Sequence, residues 1–213
     1  MNGYVGDVAA LARTSLLLEL RSRDTVPAML LFVVSALVIF RFSLPAAGSD
    51  LAATGFLWIA VLFTALLALT RAFVAEREQR VLDGLVLATA DRSALWVGKG
   101  VSVLAFLALA EVIALPAYAL FFGSLSWSAV AAFALADVGI ASVGTLLAAM
   151  AAASRARELL LPLLFLPLAI PLVVGGVGAS VEADAARYLA FLGLYDAIFA
   201  ILAWASFEYV VAE

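Results

Sequence analysis

The sequence contains neither cysteine nor histidine among its 213 residues. Without cysteine the chain can form no disulfide bond, no thiolate metal site and no cysteine nucleophile. Without histidine it lacks the commonest metal ligand and the usual general base. We therefore do not expect a hydrolase or a metalloenzyme, and we expect the chain itself to be non-catalytic.

Charged residues are also scarce, at 13% of the chain, whereas 67% of the residues are hydrophobic and the mean hydropathy is +1.17. A soluble domain has roughly 25% charged and about 45–50% apolar residues. A water-soluble fold of this length has too little interior to bury so much apolar surface. The composition therefore predicts a membrane protein.

Six apolar segments are each long enough to cross a hydrocarbon layer as a helix, which takes about 20 residues. They predict an all-α polytopic membrane protein that forms a single transmembrane domain over 1–213. The predicted spans are 26–44, 56–74, 101–122, 130–153, 159–177 and 188–211. We expect the first 25 residues to form a helix at the membrane interface through Leu11, Leu16, Leu18 and Leu20; a frayed tail is the alternative.

The basic residues are distributed unequally between the two sides that these spans define. Ten of the twelve lie before the first span or in the connections that share its side, and the other side has only Arg41 and Arg187. Because lysine and arginine stay in the cytoplasm, both termini are predicted to be cytoplasmic. The expected location is the inner or cytoplasmic membrane of a bacterium or an archaeon.

The cytoplasmic connection 76–99 has its own helical pattern. Apolar residues recur at helical spacing next to charged ones, with Val81, Leu82, Leu85 and Val86 beside Arg77, Arg80 and Asp83. This pattern predicts a short amphipathic helix across the membrane face, which we interpret as a docking element for a cytoplasmic partner. A solvated turn with interfacial anchors is the alternative. Asp91 is expected to cap a helix that continues through Leu95 and Trp96 into the third span.

Small residues and prolines distinguish the next two spans. The fourth span contains Gly139, Ser142 and Gly144, which would allow neighbouring helices to approach closely. The fifth contains Pro162, Pro167 and Pro171, followed by several glycines. These prolines predict a broken helix that ends in an irregular outer segment and either moves or lines a substrate path. Kinking without a functional role is the alternative.

Three acidic residues, Glu111, Asp137 and Asp196, fall within predicted spans. An ionised carboxylate in hydrocarbon costs at least about 2.5–3.5 kcal/mol, so such residues usually face the bundle interior or water. Transport or proton coupling is one interpretation of these three acids. A neutral or hydrogen-bonded acid with a packing role, or an acid near an interface, is the other, and it is favoured most for Asp196.

The chain has no recognisable ATP-binding motif. The nearest fragment, Gly98-Lys99-Gly100, lacks the upstream glycine and the following serine or threonine of a phosphate loop. Any ATP-driven process would therefore need a separate ATPase.

Two segments resemble the haem exporter B family of cytochrome c maturation. One is the stretch 69–99, in which an arginine and a phenylalanine precede an acidic patch, a leucine-rich turn and a lysine. The other is LLFLPLAIPLVVGG at 163–176. The matching positions of the first segment are Arg71, Phe73, Glu76, Glu78, Leu82, Leu85 and Lys99.

The resemblance implies a type-2 exporter permease that works as a pair of copies with cytoplasmic ATP-binding-cassette ATPase subunits. It also implies a haem-handling membrane protein, a small single-span subunit and a periplasmic haem chaperone as partners, and no nucleic acid. ATP would be bound by the partner ATPase, and haem would be possible cargo rather than a cofactor of this chain. The expected coupling residues are Arg71, Glu76, Arg77, Glu78, Leu82, Asp83 and Leu85.

Three functions stay open at this point. The first is haem export, in which haem would have to bind through apolar, aromatic and basic contacts, because the usual axial ligands are absent. The second is ATP-driven remodelling that releases a haem-loaded chaperone without transport. The third is a general exporter permease for a lipid, drug or polysaccharide.

Overall fold

The computed structural model describes residues 2–21, 25–44, 50–71, 92–123, 125–154 and 156–212. These residues form seven α-helices and no strand. Six of these helices are long and apolar enough to cross a membrane, which confirms the predicted all-helical polytopic membrane protein. The helices are α1 (Asn2–Arg21), α2 (Thr25–Ser43), α3 (Asp50–Arg71), α4 (Arg92–Phe122), α5 (Trp127–Ala153), α6 (Arg157–Val181) and α7 (Ala185–Ala212).

The ends of α4 and α5 follow from local sequence signals. α4 begins at Arg92 and continues through Leu95 and Trp96 into the third span without a break, as predicted. It ends before Gly123, whose φ of 116° lies in the left-handed region that glycine tolerates. Ser126 then caps α5 by accepting a hydrogen bond from the Ala129 amide.

α5 lies at the centre of the bundle. Of its span, 67% is buried inside the protein, compared with 17% for the span in α2. Gly139 of α5 lies against Leu172 of α6, and Gly144 lies against Leu69 of α3, so that a β-carbon at either glycine would overlap those side chains. The predicted close approach of helices to the fourth span is confirmed.

The helices run alternately up and down, so the bundle has two defined ends. At one end α1 packs against the start of α4 and the end of α7, through the buried cluster of Leu11, Ala94, Leu95 and Phe207. We call this the α1 end. The opposite end, with the turns that follow α4 and α6, is the far end.

The predicted break in the fifth span is wrong, because α6 is one continuous helix from Arg157 to Val181 with Pro162, Pro167 and Pro171 inside it. A proline removes one backbone donor, and in a membrane the freed carbonyls need donors from elsewhere. Tyr195 of α7 donates to the Leu168 carbonyl at 2.7 Å, one residue after the Pro167 carbonyl that Pro171 leaves without a helical donor. The glycines after the prolines are helical as well.

Candidate functional site

Three acidic residues lie at the same depth in the bundle. Glu111 lies eleven residues before the end of α4, Asp137 ten residues after the start of α5, and Asp196 eleven residues after the start of α7. All three helix ends belong to the far end, so each acid is about 15 Å from it along its helix. That is about half of a 30 Å hydrocarbon layer. We call these three residues the polar layer.

Glu111 and Asp137 meet between α4 and α5, where their carboxyl groups are close enough to interact. Asp137 is only 5% exposed. One oxygen of each, Oε1 of Glu111 and Oδ1 of Asp137, is buried without a hydrogen-bond partner among the described residues. An ionised carboxylate can only accept hydrogen bonds, so a hydrogen bond between two such side chains requires a proton on one of them.

The surroundings of this carboxyl pair are apolar and dry. Glu111 lines a gap between α2, α3 and α4 that is too tight for a water molecule. Thr64 is the other polar residue of the gap, but its hydroxyl donates to the Ala60 carbonyl at 2.7 Å. The remaining lining residues are Val33, Val61, Leu107, Ala110 and Ala114.

Asp196 lies on the other side of α5. It is 7% exposed, and both of its carboxyl oxygens are buried without a partner among the described residues. Its Oδ1 occupies the space that a β-carbon at Gly139 would take. The sequence favours a packing role for Asp196, and the structure places it apart from the Glu111–Asp137 pair. Hydropathy places Asp196 in a span, and Gly139 leaves room for a neighbour, but a glycine does not identify that neighbour.

At the α1 end, Lys99 is buried at 2% exposure. Its Nζ donates to the Ser15 hydroxyl of α1 at 3.5 Å. One residue earlier, Gly98 lies so close to α1 that a β-carbon there would be 2.8 Å from the Leu11 β-carbon. The Tyr4 and Ser93 hydroxyls, 3.0 Å apart, add a second polar link. α1 therefore packs tightly along the first turns of α4.

The predicted coupling residues Glu76, Arg77, Glu78, Leu82, Asp83 and Leu85 lie outside the described residues. Arg71 is the last residue of α3, and α4 begins at Arg92. The coupling segment 72–91 therefore connects two helix ends that belong to the α1 end. No group of three or more His, Cys, Asp or Glu residues that could hold a metal ion occurs within the described part of the chain.

The fold, the polar layer and the contacts at the α1 end define a multi-pass membrane protein with a docked amino-terminal helix and a layer of buried carboxyl groups. Residues 7–210 match the family model described as "CcmB protein", and the chain belongs to this family. It is also similar to "Heme exporter protein B" of Bradyrhizobium diazoefficiens. The two sequences are 29% identical over 181 residues, which cover 81% of this chain and 80% of that protein. The resemblance found in the sequence is thus confirmed.

Proposed function

We propose that this chain is the membrane-spanning permease subunit of an ATP-binding-cassette complex that handles haem during cytochrome c maturation. The observation that carries the proposal is the family match, which extends over residues 7–210 and so includes all six spans. The name of the relative, a haem exporter, supports the same class of cargo. The proposed location is the bacterial inner membrane, with both termini in the cytoplasm.

The energy source in this proposal is a separate cytoplasmic ATPase, because the chain has no phosphate loop of its own. The coupling segment 72–91 is the proposed docking element. It leads directly into α4, whose first turns are held to α1 by the Lys99–Ser15 and Tyr4–Ser93 contacts. Movement of the docked ATPase would therefore shift α1 and α4 together, and α4 carries Glu111 of the polar layer.

The other partners proposed are those of the family resemblance. They are a second copy of this chain, a haem-handling membrane protein, a small single-span subunit and a periplasmic haem chaperone. We propose no nucleic-acid partner, and no cofactor bound by this chain alone.

A second candidate function is remodelling of a haem-loaded partner without passage of haem through this chain. Two observations favour it. The sequence has no histidine or cysteine to ligate haem iron. In the described part of the bundle, the gap beside Glu111 and a second gap lined by Met29 and Phe106 are both too tight for a water molecule, so neither has room for haem.

Charge reversal in the coupling segment tests the proposed docking. The variant Glu76→Lys/Glu78→Lys should still insert but should lose most of its stimulation of the partner ATPase and most of the cytochrome c yield. The matched control is Glu182→Lys/Asp184→Lys, which reverses two exposed charges at the far end. Equal activity of the two double variants would contradict docking at 72–91.

Reconstituted vesicles separate the two candidate functions. The complex, with its ATPase facing the outer buffer, is supplied with ATP, haem and the haem-loaded partner. Movement of haem from the outer buffer into the lumen supports export. Release of the haem-loaded chaperone into the lumen, with no uptake of haem from the outer buffer, supports remodelling and contradicts export.

A further inference from the structure

The contact between Glu111 and Asp137 brings two acids from different helices together in the middle of the membrane. Asp137 is 95% buried by exposed area, and its Oδ1 has no partner among the described residues. Two carboxylates that share one site repel each other, and burial disfavours both charges. The pair is therefore stable in this arrangement only when it binds something positive.

We propose that Glu111 and Asp137 form a proton-binding site in the membrane interior, at which one bound proton holds α4 against α5. The proton supplies the donor that the carboxyl–carboxyl hydrogen bond needs. This inference concerns the chain by itself and does not rest on the proposed role in haem handling.

A proton fits this site better than a metal cation does. Calcium takes six to eight oxygen ligands, and magnesium keeps several waters in an octahedral shell. The gap beside Glu111 admits no water, and the Thr64 hydroxyl donates to the backbone of its own helix. Two carboxyl groups in a dry, apolar setting offer too few oxygens for either metal.

Other titratable groups in the described part of the chain face away from the pair. Asp196 and Tyr195 of α7 lie on the Gly139 and α6 side, where Tyr195 donates to Leu168. Lys99 is twelve residues away along α4, or about 18 Å. Tyr118, on the same helix, is bonded to Thr54 near the far end. The charged residues Arg41 of α2 and Arg71 of α3 lie in the last turns of their helices.

The structural consequence concerns the contact between α4 and α5. Loss of the proton leaves two carboxylates in contact where no described cation is close enough to offset them. Their repulsion favours separation of the two helices or entry of water between them. Binding of the proton therefore determines how tightly α4, with α1 packed against it, contacts the central helix α5.

A double-mutant cycle in the full-length chain tests the site. The wild type, Glu111→Gln, Asp137→Asn and the double variant are placed in lipid nanodiscs, and their melting temperatures are followed from mildly acidic to alkaline buffer. Each amide keeps the size and can donate a hydrogen bond. We expect the interaction term of the cycle, expressed as a difference in melting temperature, to become destabilising by at least about 3 °C as the buffer becomes alkaline. Asp196→Asn is the matched control and should leave this coupling unchanged.

A coupling that does not depend on pH would overturn the proposal, since two packed polar side chains interact equally at any pH. Restoration of the alkaline melting temperature by sodium, magnesium or calcium ions would also overturn it, in favour of a cation site.

A hydrophobic carbodiimide provides an independent measurement, because the reagent adds to a protonated carboxyl group and not to a carboxylate. We expect peptide mass spectrometry of the treated wild type to find the adduct on Glu111 or Asp137 at neutral pH. The yield should fall at least about tenfold in alkaline buffer, where the proton is lost. Absence of the adduct from both residues at neutral pH would contradict a bound proton.

Discussion

Gly176 of α6 shows how a single missing side chain determines helix packing in this protein. A β-carbon at this position would overlap the indole ring of Trp58 from α3. The indole cannot retreat, because it stacks on Phe133 of α5 at 4.1 Å and donates to the Ser180 hydroxyl at 3.3 Å. α3, α5 and α6 therefore meet at one aromatic side chain.

The variant Gly176→Ala should destabilise the protein by about 1–3 kcal/mol, since overpacking of a tight contact forces the backbone or the ring to move. Thermal unfolding in detergent measures the effect. Gly193→Ala is the control, because nothing lies within 4 Å of a β-carbon at that helical glycine. Similar melting temperatures for the two variants would show that Trp58 does not restrain α6.

The acids of the polar layer show what a single sequence can predict at this scale. Glu111, Asp137 and Asp196 were identified as intramembrane acids from hydropathy alone. That Glu111 pairs with Asp137 was not predictable, because the two lie on different helices and their relative rotation depends on packing. Asp137 and Gly139 face opposite sides of α5, and only the folded bundle shows which neighbour each one meets.

At the scale of whole helices, composition predicted the elements well and their shape less well. All six spans and the amino-terminal helix are present, and α4, which begins directly after Asp91, continues into the third span as expected. α3 begins at Asp50, six residues earlier than predicted, because Leu51 to Gly55 are apolar or small enough to extend it. The prolines of α6 predicted a break, but the helix is continuous from Arg157 to Val181.

The coupling segment 72–91 lies outside the described residues, so every statement about its shape and role rests on the sequence. Its pattern of leucines and charges, and its resemblance to the family, stay predictions. The structure adds the positions of its two neighbours, the end of α3 and the start of α4.

The docking of α1 on α4 predicts an engineered cross-link. In Leu11→Cys/Gly98→Cys, a mild oxidant should form a disulfide, because the two β-carbons lie 2.8 Å apart before relaxation and a disulfide needs about 3.8 Å. The natural chain has no cysteine, so no other thiol competes. Proteolysis between the helices followed by electrophoresis detects the link.

The control pair for this cross-link is Gly6→Cys/Gly98→Cys. A β-carbon at Gly6 has nothing within 4 Å, since this residue lies on the exposed face of α1. Efficient cross-linking of the control, or none in the Leu11 pair, would contradict the docked position of α1.

For the molecule as a whole, the structure defines two ends and the sequence predicts which end is cytoplasmic. α1 packs against the start of α4 and the end of α7, so these three elements share one end of the bundle. By sequence, the ten basic residues that the positive-inside rule assigns to the cytoplasm fall in or next to the segments that this end joins. Packing alone contains no information on which side of the membrane this end faces.

Single-cysteine variants measure that orientation directly, because each contains only one thiol. Ser126→Cys and Asp184→Cys place it at exposed positions of the far end, and Ala156→Cys places it at an exposed position between α5 and α6, at the α1 end. In intact spheroplasts a membrane-impermeant maleimide should label the two far-end variants. It should label Ala156→Cys only after the membrane is broken. The reverse pattern would put segment 72–91 in the periplasm, where no cytoplasmic ATPase can reach it, and the proposed coupling would fail with it.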